Sequence, residues 1–182
     1  MKPLASVLIV LLGGGILGVL MSTLPSYDSS LRPIAVHADA KGVGQGRLFA
    51  AELKGLTSAD AISYAWAGTE TVRDTSATFL VAELSVTALR KSLMIEAVWL
   101  GATGRRYSQS ARVENAPRTL PSTWFQPGLH DTTRAVFELP EDEIPGGQLV
   151  LTARGNAILD SAVHLSAPAT PPQKRDTLRL EP

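Results

Sequence analysis

The stretch Ala77–Leu89, ATFLVAELSVTAL, decides the fold class of this chain. Its residues alternate between two faces, and the more apolar face consists of Leu80, Ala82, Leu84, Val86 and Ala88. The other face mixes Phe79 and Val81 with polar residues. A period of two with β-branched residues is typical of a β-strand. Because both faces carry apolar side chains, we expect a central strand that is covered on both sides.

A second strand, Leu93–Leu100, repeats this alternation, with Leu93, Ile95, Ala97 and Trp99 on one face. Only Arg90, Lys91 and Ser92 separate the two predicted strands. So short a link predicts an antiparallel hairpin.

Further strand-like segments lie on either side of this pair: Arg47–Lys54, Ala59–Ala67, Thr132–Leu139, Gln148–Arg154 and Ala157–Ser166. In the first of them a helical turn is an open alternative. Turn residues separate the segments at intervals of about 8 to 12 residues, which is typical of a β-sandwich. The sequence therefore predicts one all-β domain over residues 47–166, an antiparallel immunoglobulin-like sandwich. We expect Leu84, Val86, Trp99 and Phe137 in its core.

Residues 4–24 form an uncharged, largely apolar run that follows Lys2. As a helix this run spans roughly 30 Å, the thickness of a bilayer core. It predicts one transmembrane helix, with residues 1–3 cytoplasmic and the rest of the chain outside. A cleaved signal peptide is the alternative, but the single lysine and the lack of an A-x-A site favour an anchor. Gly14 and Gly18 form a GxxxG pattern, for which a chance match in a glycine-rich run is favoured.

The segments that flank the predicted sandwich differ from it in composition. Residues 25–46 are rich in Ser, Pro, Gly and Asp, which predicts a stalk between membrane and domain. Residues 167–182 are proline-rich and charged, which predicts a disordered tail.

Composition and motifs argue against several classes of function. The formal net charge is zero, so nothing suggests nucleic-acid binding. There is no cysteine, which removes disulfides, thiolate metal sites and cysteine nucleophiles. Neither a G-x-S-x-G elbow nor a phosphate-binding loop is present. We therefore predict no catalytic residue and no cofactor.

Two sets of residues are candidate metal ligands. The histidines, His37, His130 and His164, lie far apart in the sequence and are expected to be solvated or edge residues. The acidic cluster around Pro140 contains Glu138, Glu141, Asp142 and Glu143. It lacks the spacing of a calcium loop, so a solvated turn is expected. We predict no metal site.

The chain from Thr75 to Leu165 resembles the telokin-like, immunoglobulin-like extracellular domains of unknown function in bacterial membrane proteins and lipoproteins. The matching pieces are Thr78–Val81, Gly104–Tyr107, Pro127-Gly128, Ala135–Pro140 and the strand that begins at Leu149. The resemblance implies an immunoglobulin-like sandwich on a membrane tether. It implies no activity, because that family has no common one.

The loop Asn115–Asp131 is the best candidate for a contact surface, because it carries Trp124 and Phe125 between prolines. Consecutive side chains of an extended chain point to opposite sides, so only one ring is easily buried. The other is expected at the surface as a binding anchor. Alternatively, both rings plug the open end of the sandwich.

The sequence thus predicts an exported, non-enzymatic binding or structural module that acts with the membrane and with a membrane or envelope protein. The alternative is a small-ligand or envelope-lipid binder with a cleft between the sheets. An enzyme is the third and least supported hypothesis.

Overall fold

The computed structural model describes residues 3–23, 32–155, 159–168 and 170–181. The chain divides into two compact units, Met1–Arg32 and Pro33–Pro182. The first unit contains one α-helix, α1, over Pro3–Thr23. In the part of the chain that is described, no helix has both the length and the apolar character needed to cross a membrane. A helix thus forms where the sequence predicts one, but its assignment as a membrane span is not supported.

The second unit is a β-sandwich. Its strands are β1 (Ile34–His37), β2 (Val43–Gln45), β3 (Phe49–Trp66), β4 (Thr69–Ala88), β5 (Ile95–Leu100), β6 (Arg106–Ser108), β7 (His130–Leu139), β8 (Gln148–Ala153), β9 (Ser161–Ser166) and β10 (Gln173–Leu180). One sheet has the order β1-β9-β8-β5-β6, and the other has the order β10-β3-β4-β7 with β2 also paired to β3. Short 3-10 helices occupy Ala111–Val113, Leu120–Ser122 and Glu141–Glu143. The predicted all-β sandwich is confirmed.

Most strand pairs are antiparallel, as predicted. The exceptions in the described chain are β1 with β9 and β10 with β3, which are parallel. Each parallel pair contains an edge strand, β1 in one sheet and β10 in the other. The strand pairs in the centre of both sheets are antiparallel.

Strand β4 lies between β3 and β7, and its period of two divides the apolar residues between two clusters. Leu84 and Val86 point into the core between the sheets together with Trp99 and Phe137, and all four side chains are fully buried, as predicted. Phe79, on the opposite face of β4, belongs to a second cluster. The prediction of a central strand covered on both sides is therefore confirmed.

The predicted hairpin between Ala77–Leu89 and Leu93–Leu100 is wrong. Strand β4 pairs with β3 and β7, whereas β5 pairs with β6 and β8 in the other sheet. The link Arg90–Ser92 crosses from one sheet to the other. Because packed sheets lie only about 10 Å apart, a three-residue link spans that gap as readily as it closes a hairpin.

The predicted boundaries of the domain are too narrow. Strands β1 and β2 fall in the predicted stalk, of which residues 25–31 lie outside the described residues. Strand β10 falls in the predicted disordered tail and pairs with β3 from Thr57 to Tyr64. The first five residues of β10 are polar and exposed, so they show no apolar alternation, and they are ordered by backbone pairing with β3. At its end Leu180 is buried in the second cluster and Leu178 packs against it. The segments Arg47–Lys54 and Ala59–Ala67 join in the single strand β3, which removes the helical alternative for the first.

Candidate functional site

The structure separates the two predicted contact residues. Phe125 is fully buried in the main core, whereas Trp124 is 60% exposed. Two backbone hydrogen bonds between Phe125 and Leu93, of 2.9 and 3.1 Å, hold residue 125 beside the start of β5. Since neighbouring side chains of extended backbone point to opposite sides, burial of one ring directs the other to solvent.

The alternative in which both rings plug the sandwich is therefore wrong for Trp124. The rest of the loop is more deeply packed than predicted, because it runs along the outer edge of β7. Thr119 forms a bridge with Arg134, and Leu120 is fully buried in the main core. Ala116 packs instead into the second cluster. Leu120 and Ala116 thus anchor the loop in both clusters, and Trp124 and Leu129 are the large hydrophobic side chains that it exposes.

A surface cleft of about 420 Å³ lies beside Trp124. Its lining combines the tryptophan ring with the aliphatic and cationic side chains of Leu93, Met94, Lys91 and Arg154. Arg154 is fixed by hydrogen bonds from its backbone N–H to the Met94 carbonyl at 2.9 Å and from Nε to Glu96 at 3.1 Å. One aromatic and two cationic side chains thus line the same cleft, a combination suited to an apolar group that carries negative charge.

The surface around Trp124 continues over one whole end of the sandwich, which we call the basic end. It consists of the segments Gly46–Leu48, Ala88–Met94, Trp124–Asp131, Arg154–Gly155 and Leu159–Ser161, together with Ile34. Hydrogen bonds connect these segments: Ile34 N–H to Asp160 O at 2.7 Å, Leu89 N–H to Leu48 O at 2.8 Å and Gly128 N–H to Ala88 O at 3.1 Å. The basic end is therefore one continuous surface.

An ion pair anchors the basic end. Arg47 Nη2 lies 2.7 Å from Asp160 Oδ2, and the Ser161 backbone N–H donates to Asp160 Oδ1 at 2.7 Å. Burial by itself would raise the pKa of Asp160, but the hydrogen bonds from Arg47 and Ser161 outweigh it and the pKa is lowered. The positive charge of Lys91 lowers the pKa further, which places Lys91 near this pair.

The opposite end, which we call the acidic end, consists of the loops Gly101–Arg105 and Pro140–Gly147. Glu143 is buried there and accepts hydrogen bonds from the side chain and the backbone N–H of Thr103. These bonds lower the pKa of the Glu143 carboxyl. Trp99 Nε1–H donates to the Glu143 carbonyl at 3.0 Å, which ties the loop to the core. The solvated turn predicted for this cluster is wrong for Glu143.

The three histidines do not behave alike. The structure brings together His37 on β1 and His164 on β9, whose ring centroids lie 5.1 Å apart. Burial lowers the pKa of His164, and the neighbouring charges of His37 and Arg106 add to that effect. His130 lies elsewhere, with its Nδ1 2.6 Å from Thr87 Oγ1. Among the described residues, no three His, Asp or Glu side chains converge in a way that could hold a metal ion.

No protein-family profile matches this chain, and the search of curated proteins gave no match. Similar solved structures include an uncharacterised β-sandwich protein from Clostridium difficile, with a TM-score of 0.46 and 7% identity over 78% of this chain and 99% of that one. A secreted protein from Mycobacterium tuberculosis has a TM-score of 0.46 and 16% identity over 74% and 97%. A conserved hypothetical protein from Bacillus anthracis has a TM-score of 0.44 and 10% identity over 65% and 90%. These likenesses are too distant to carry a conclusion about this chain.

The sequence identified Trp124 but not the surface that surrounds it. For Leu89 and Leu129 the local sequence contained a signal, because an apolar residue beside a turn is a candidate for exposure. Leu89 precedes Arg90 and Lys91, and Leu129 follows a Pro-Gly turn. Leu159 and Ile34 carry no such local signal. Leu159 is next to Asp160 in the sequence, and the parallel pairing of β1 with β9 brings Ile34 beside them.

Proposed function

We propose that this chain is an exported, non-enzymatic binding module that acts beside a membrane, with Trp124 at the centre of its contact surface. The observation that carries this function is that Trp124 is 60% exposed while the next residue of the loop, Phe125, is fully buried in the core. A rigid, exposed tryptophan beside an apolar cleft is a frequent anchor of protein interfaces. Because the loop is already ordered, little conformational freedom is lost when a partner binds.

The sequence of the N-terminal segment supports export and attachment to a membrane. Residues 4–24 carry no charge, and the described apolar side chains of α1 are exposed, Leu11 by 71% and Met21 by 69%. Such side chains are favourable in an apolar environment. An uncleaved anchor and a cleaved signal peptide both place the sandwich outside the cytoplasm, and N-terminal sequencing of the mature protein distinguishes them.

The strand order supports the immunoglobulin-like character of the domain. Strands β4 and β7 share one sheet, while β5, β8 and β9 share the other. Strands B and E and strands C, F and G are divided in the same way in immunoglobulin domains. Domains of this architecture commonly serve recognition, which agrees with a binding role.

The ionisable groups support a non-enzymatic role. The two carboxylates whose pKa values are lowered both belong to structural pairs, Glu143 with Thr103 and Asp160 with Arg47. Their hydrogen bonds hold loops at the two ends of the sandwich. Each is therefore explained by folding and needs no catalytic role.

Photo-crosslinking in native membranes tests the proposal. A photoreactive phenylalanine analogue at position 124 should give adducts with a membrane or envelope component, and the same analogue at the exposed Ala102 of the acidic end should not. Trp124→Ala should abolish the interaction while the free energy of unfolding stays within about 0.5 kcal/mol of the parent value. Equal adducts from both positions, or none from either, would reject a contact surface at Trp124.

A second candidate is a small-ligand or envelope-lipid binder. A cleft of about 370 Å³ opens at the edge of the sandwich, between Leu53 of one sheet and Leu165 of the other. Its volume lies within the range of ligand sites, about 300 to 1,000 Å³. Native mass spectrometry of the purified protein tests this function, since a retained ligand lost on Leu165→Trp would support it.

A further inference from the structure

Two of the three histidines lie side by side at the edge of one sheet. His37 is the last residue of β1 and His164 lies on β9, and the parallel pairing of these strands places the two residues in register. Residues in register carry their side chains on the same face of a sheet. The ring centroids are 5.1 Å apart, and the ring planes are inclined by 49°. Backbone pairing therefore holds two imidazoles together on one face of the sheet.

The distance between the rings is the one that a shared metal ion requires. Zinc bonds to an imidazole nitrogen at about 2.0 to 2.1 Å, so two imidazoles on one ion at a tetrahedral angle have centroids about 5 Å apart. The 5.1 Å between His37 and His164 agrees with this value. The inclination of the rings also differs from the face-to-face stacking of two aromatic side chains.

One nitrogen of His164 is bonded in the way that favours metal binding. Nδ1 lies 3.2 Å from Oε1 of Gln148, and this oxygen only accepts hydrogen bonds. Nδ1 therefore carries the proton, which leaves the lone pair of the neutral ring on Nε2. Histidines that bind a metal usually donate their other ring N–H to such an oxygen. Burial, with the charges of His37 and Arg106, lowers the pKa of His164, so its ring is neutral at pH 7.

We propose that His37 and His164 together bind one divalent transition-metal ion. Neutral imidazole suits zinc and copper, and copper(II) is bound most tightly among the divalent ions of its row. Within the part of the chain that the structure describes, no third His, Asp or Glu converges on the pair, so water completes the coordination. His37 also lines the cleft of about 370 Å³ at the edge of the sandwich, so the ion borders a space that can hold a small ligand.

A shared ion joins the edge strand β1 to β9 by a bond other than backbone pairing. None of the four side chains of β1 is fully buried, so packing contributes little to holding this strand. Because the two imidazoles are brought together only in the folded chain, metal binding stabilises their pairing. The positive charge of Arg106, which lowers the pKa of His164, also opposes a bound cation. The site is independent of the proposed contact at Trp124, since neither histidine belongs to the basic end.

Isothermal titration calorimetry of the full chain in detergent, with zinc or copper(II) chloride at neutral pH, tests the proposal. We expect a single ion per chain. His37→Gln and His164→Gln should each weaken binding at least about tenfold, the smallest loss that follows when even a supporting residue of a metal site is changed. His130→Gln is the matched control, because His130 lies elsewhere in the fold, and no cysteine competes for the ion. His37 is exposed, so its replacement leaves the fold intact, which circular dichroism verifies.

Two further measurements separate a shared site from weak binding by single histidines. Zinc should raise the protection factors for amide exchange in Ile34–His37 of the parent but not of His164→Gln. Arg106→Gln should tighten binding because it removes an opposing charge, whereas Arg105→Gln should leave the affinity unchanged. A parent chain that binds no ion, or an affinity that is the same in both pair variants as in the parent, would overturn the inference. A loss in His130→Gln equal to that in His164→Gln would overturn it as well.

Discussion

The two ends of this sandwich differ in the burial of their loop side chains. At the acidic end the buried Glu143 accepts hydrogen bonds from Thr103 at its carboxylate and from Trp99 at its backbone carbonyl. The apolar residue of the same loop, Ile144, is buried. At the basic end Trp124 and Leu129 are left in solvent beside cations. Exposure of an isolated apolar side chain is common, but a group of them on one surface indicates an interaction site. The comparison supports the basic end as the surface that we propose for binding.

The acidic end also depends on close packing that tolerates no side chain at two positions. A Cβ on Gly147 would lie 2.7 Å from the Trp99 ring, and one on Gly101 would collide with the Glu143 carboxylate. The basic end has a similar restriction at Gly46, whose Cβ would lie 2.7 Å from Ser161 Cβ, but the exposed Trp124 is not confined by such packing. We therefore expect substitutions at the acidic end to change stability, and exposed residues of the basic end to change binding.

The largest expected effect lies within the basic end itself. Phe125→Ala should lower the free energy of unfolding by about 3 to 5 kcal/mol, because it empties a fully buried position. Trp124→Ala should change it by less than about 0.5 kcal/mol. Urea unfolding followed by circular dichroism measures both. Equal losses for the two variants would mean that Trp124 also closes the core.

The next largest effect is expected from Gly147→Ala at the acidic end. The added methyl group would clash with the Trp99 ring, and such overpacking costs about 1 to 3 kcal/mol. Gly55→Ala is a matched control, since its Cβ would meet no atom within 4 Å. Thermal unfolding should show a lower Tm for the first variant than for the second. A Tm for Gly147→Ala at or above the parent value would contradict this account of the acidic end.

A smaller effect should follow from the buried carboxylate. Its hydrogen bonds from Thr103 hold the pKa of Glu143 below the ordinary value of 4.5, so the folded state binds this proton less readily than the unfolded state. The stabilisation is complete above about pH 4.5 and is lost as the pH falls through the lowered pKa. Glu143→Gln should reduce stability at pH 7 and flatten this acid dependence, whereas Asp142→Asn, an exposed neighbour, should change neither. An unchanged acid profile in Glu143→Gln would show that other carboxylates set it.

The smallest effect is expected at the edge strand β1. Burial, and then the charges of His37 and Arg106, lower the pKa of His164, so below about pH 6.5 the unfolded chain takes up a proton that the folded chain resists. Stability should therefore fall on acidification from pH 7 to 5, with lower protection factors for amide exchange in Ile34–His37 after correction for the intrinsic exchange rate at each pH. Replacing His37 by Gln removes one of the two facing rings and should weaken this dependence. Protection factors in β1 that are independent of pH would exclude the pair as its cause.

The β-sandwich and four of its core residues were predictable from local sequence patterns. The alternation in Ala77–Leu89 predicted the burial of Leu84 and Val86 correctly. In a strand with one face on the core, every second side chain is buried and therefore apolar. For Trp124 and Phe125 the geometry of extended backbone favoured exposure of one ring, but the sequence left open the alternative in which both rings plug the sandwich. These are local properties, because each depends on a few consecutive residues.

Strand pairing and the grouping of residues on one surface come from contacts between segments that are far apart in the sequence. The polar first half of β10 is held by backbone hydrogen bonds with β3, and such bonds leave no mark on the side-chain pattern. The crossing at Arg90–Ser92 could not be predicted from the length of the link, because a short link joins strands of two packed sheets as easily as two neighbouring strands of one sheet. The basic end gathers Ile34, Leu89, Leu129 and Leu159 from four segments, and their proximity depends on long-range pairing that no local stretch of sequence contains.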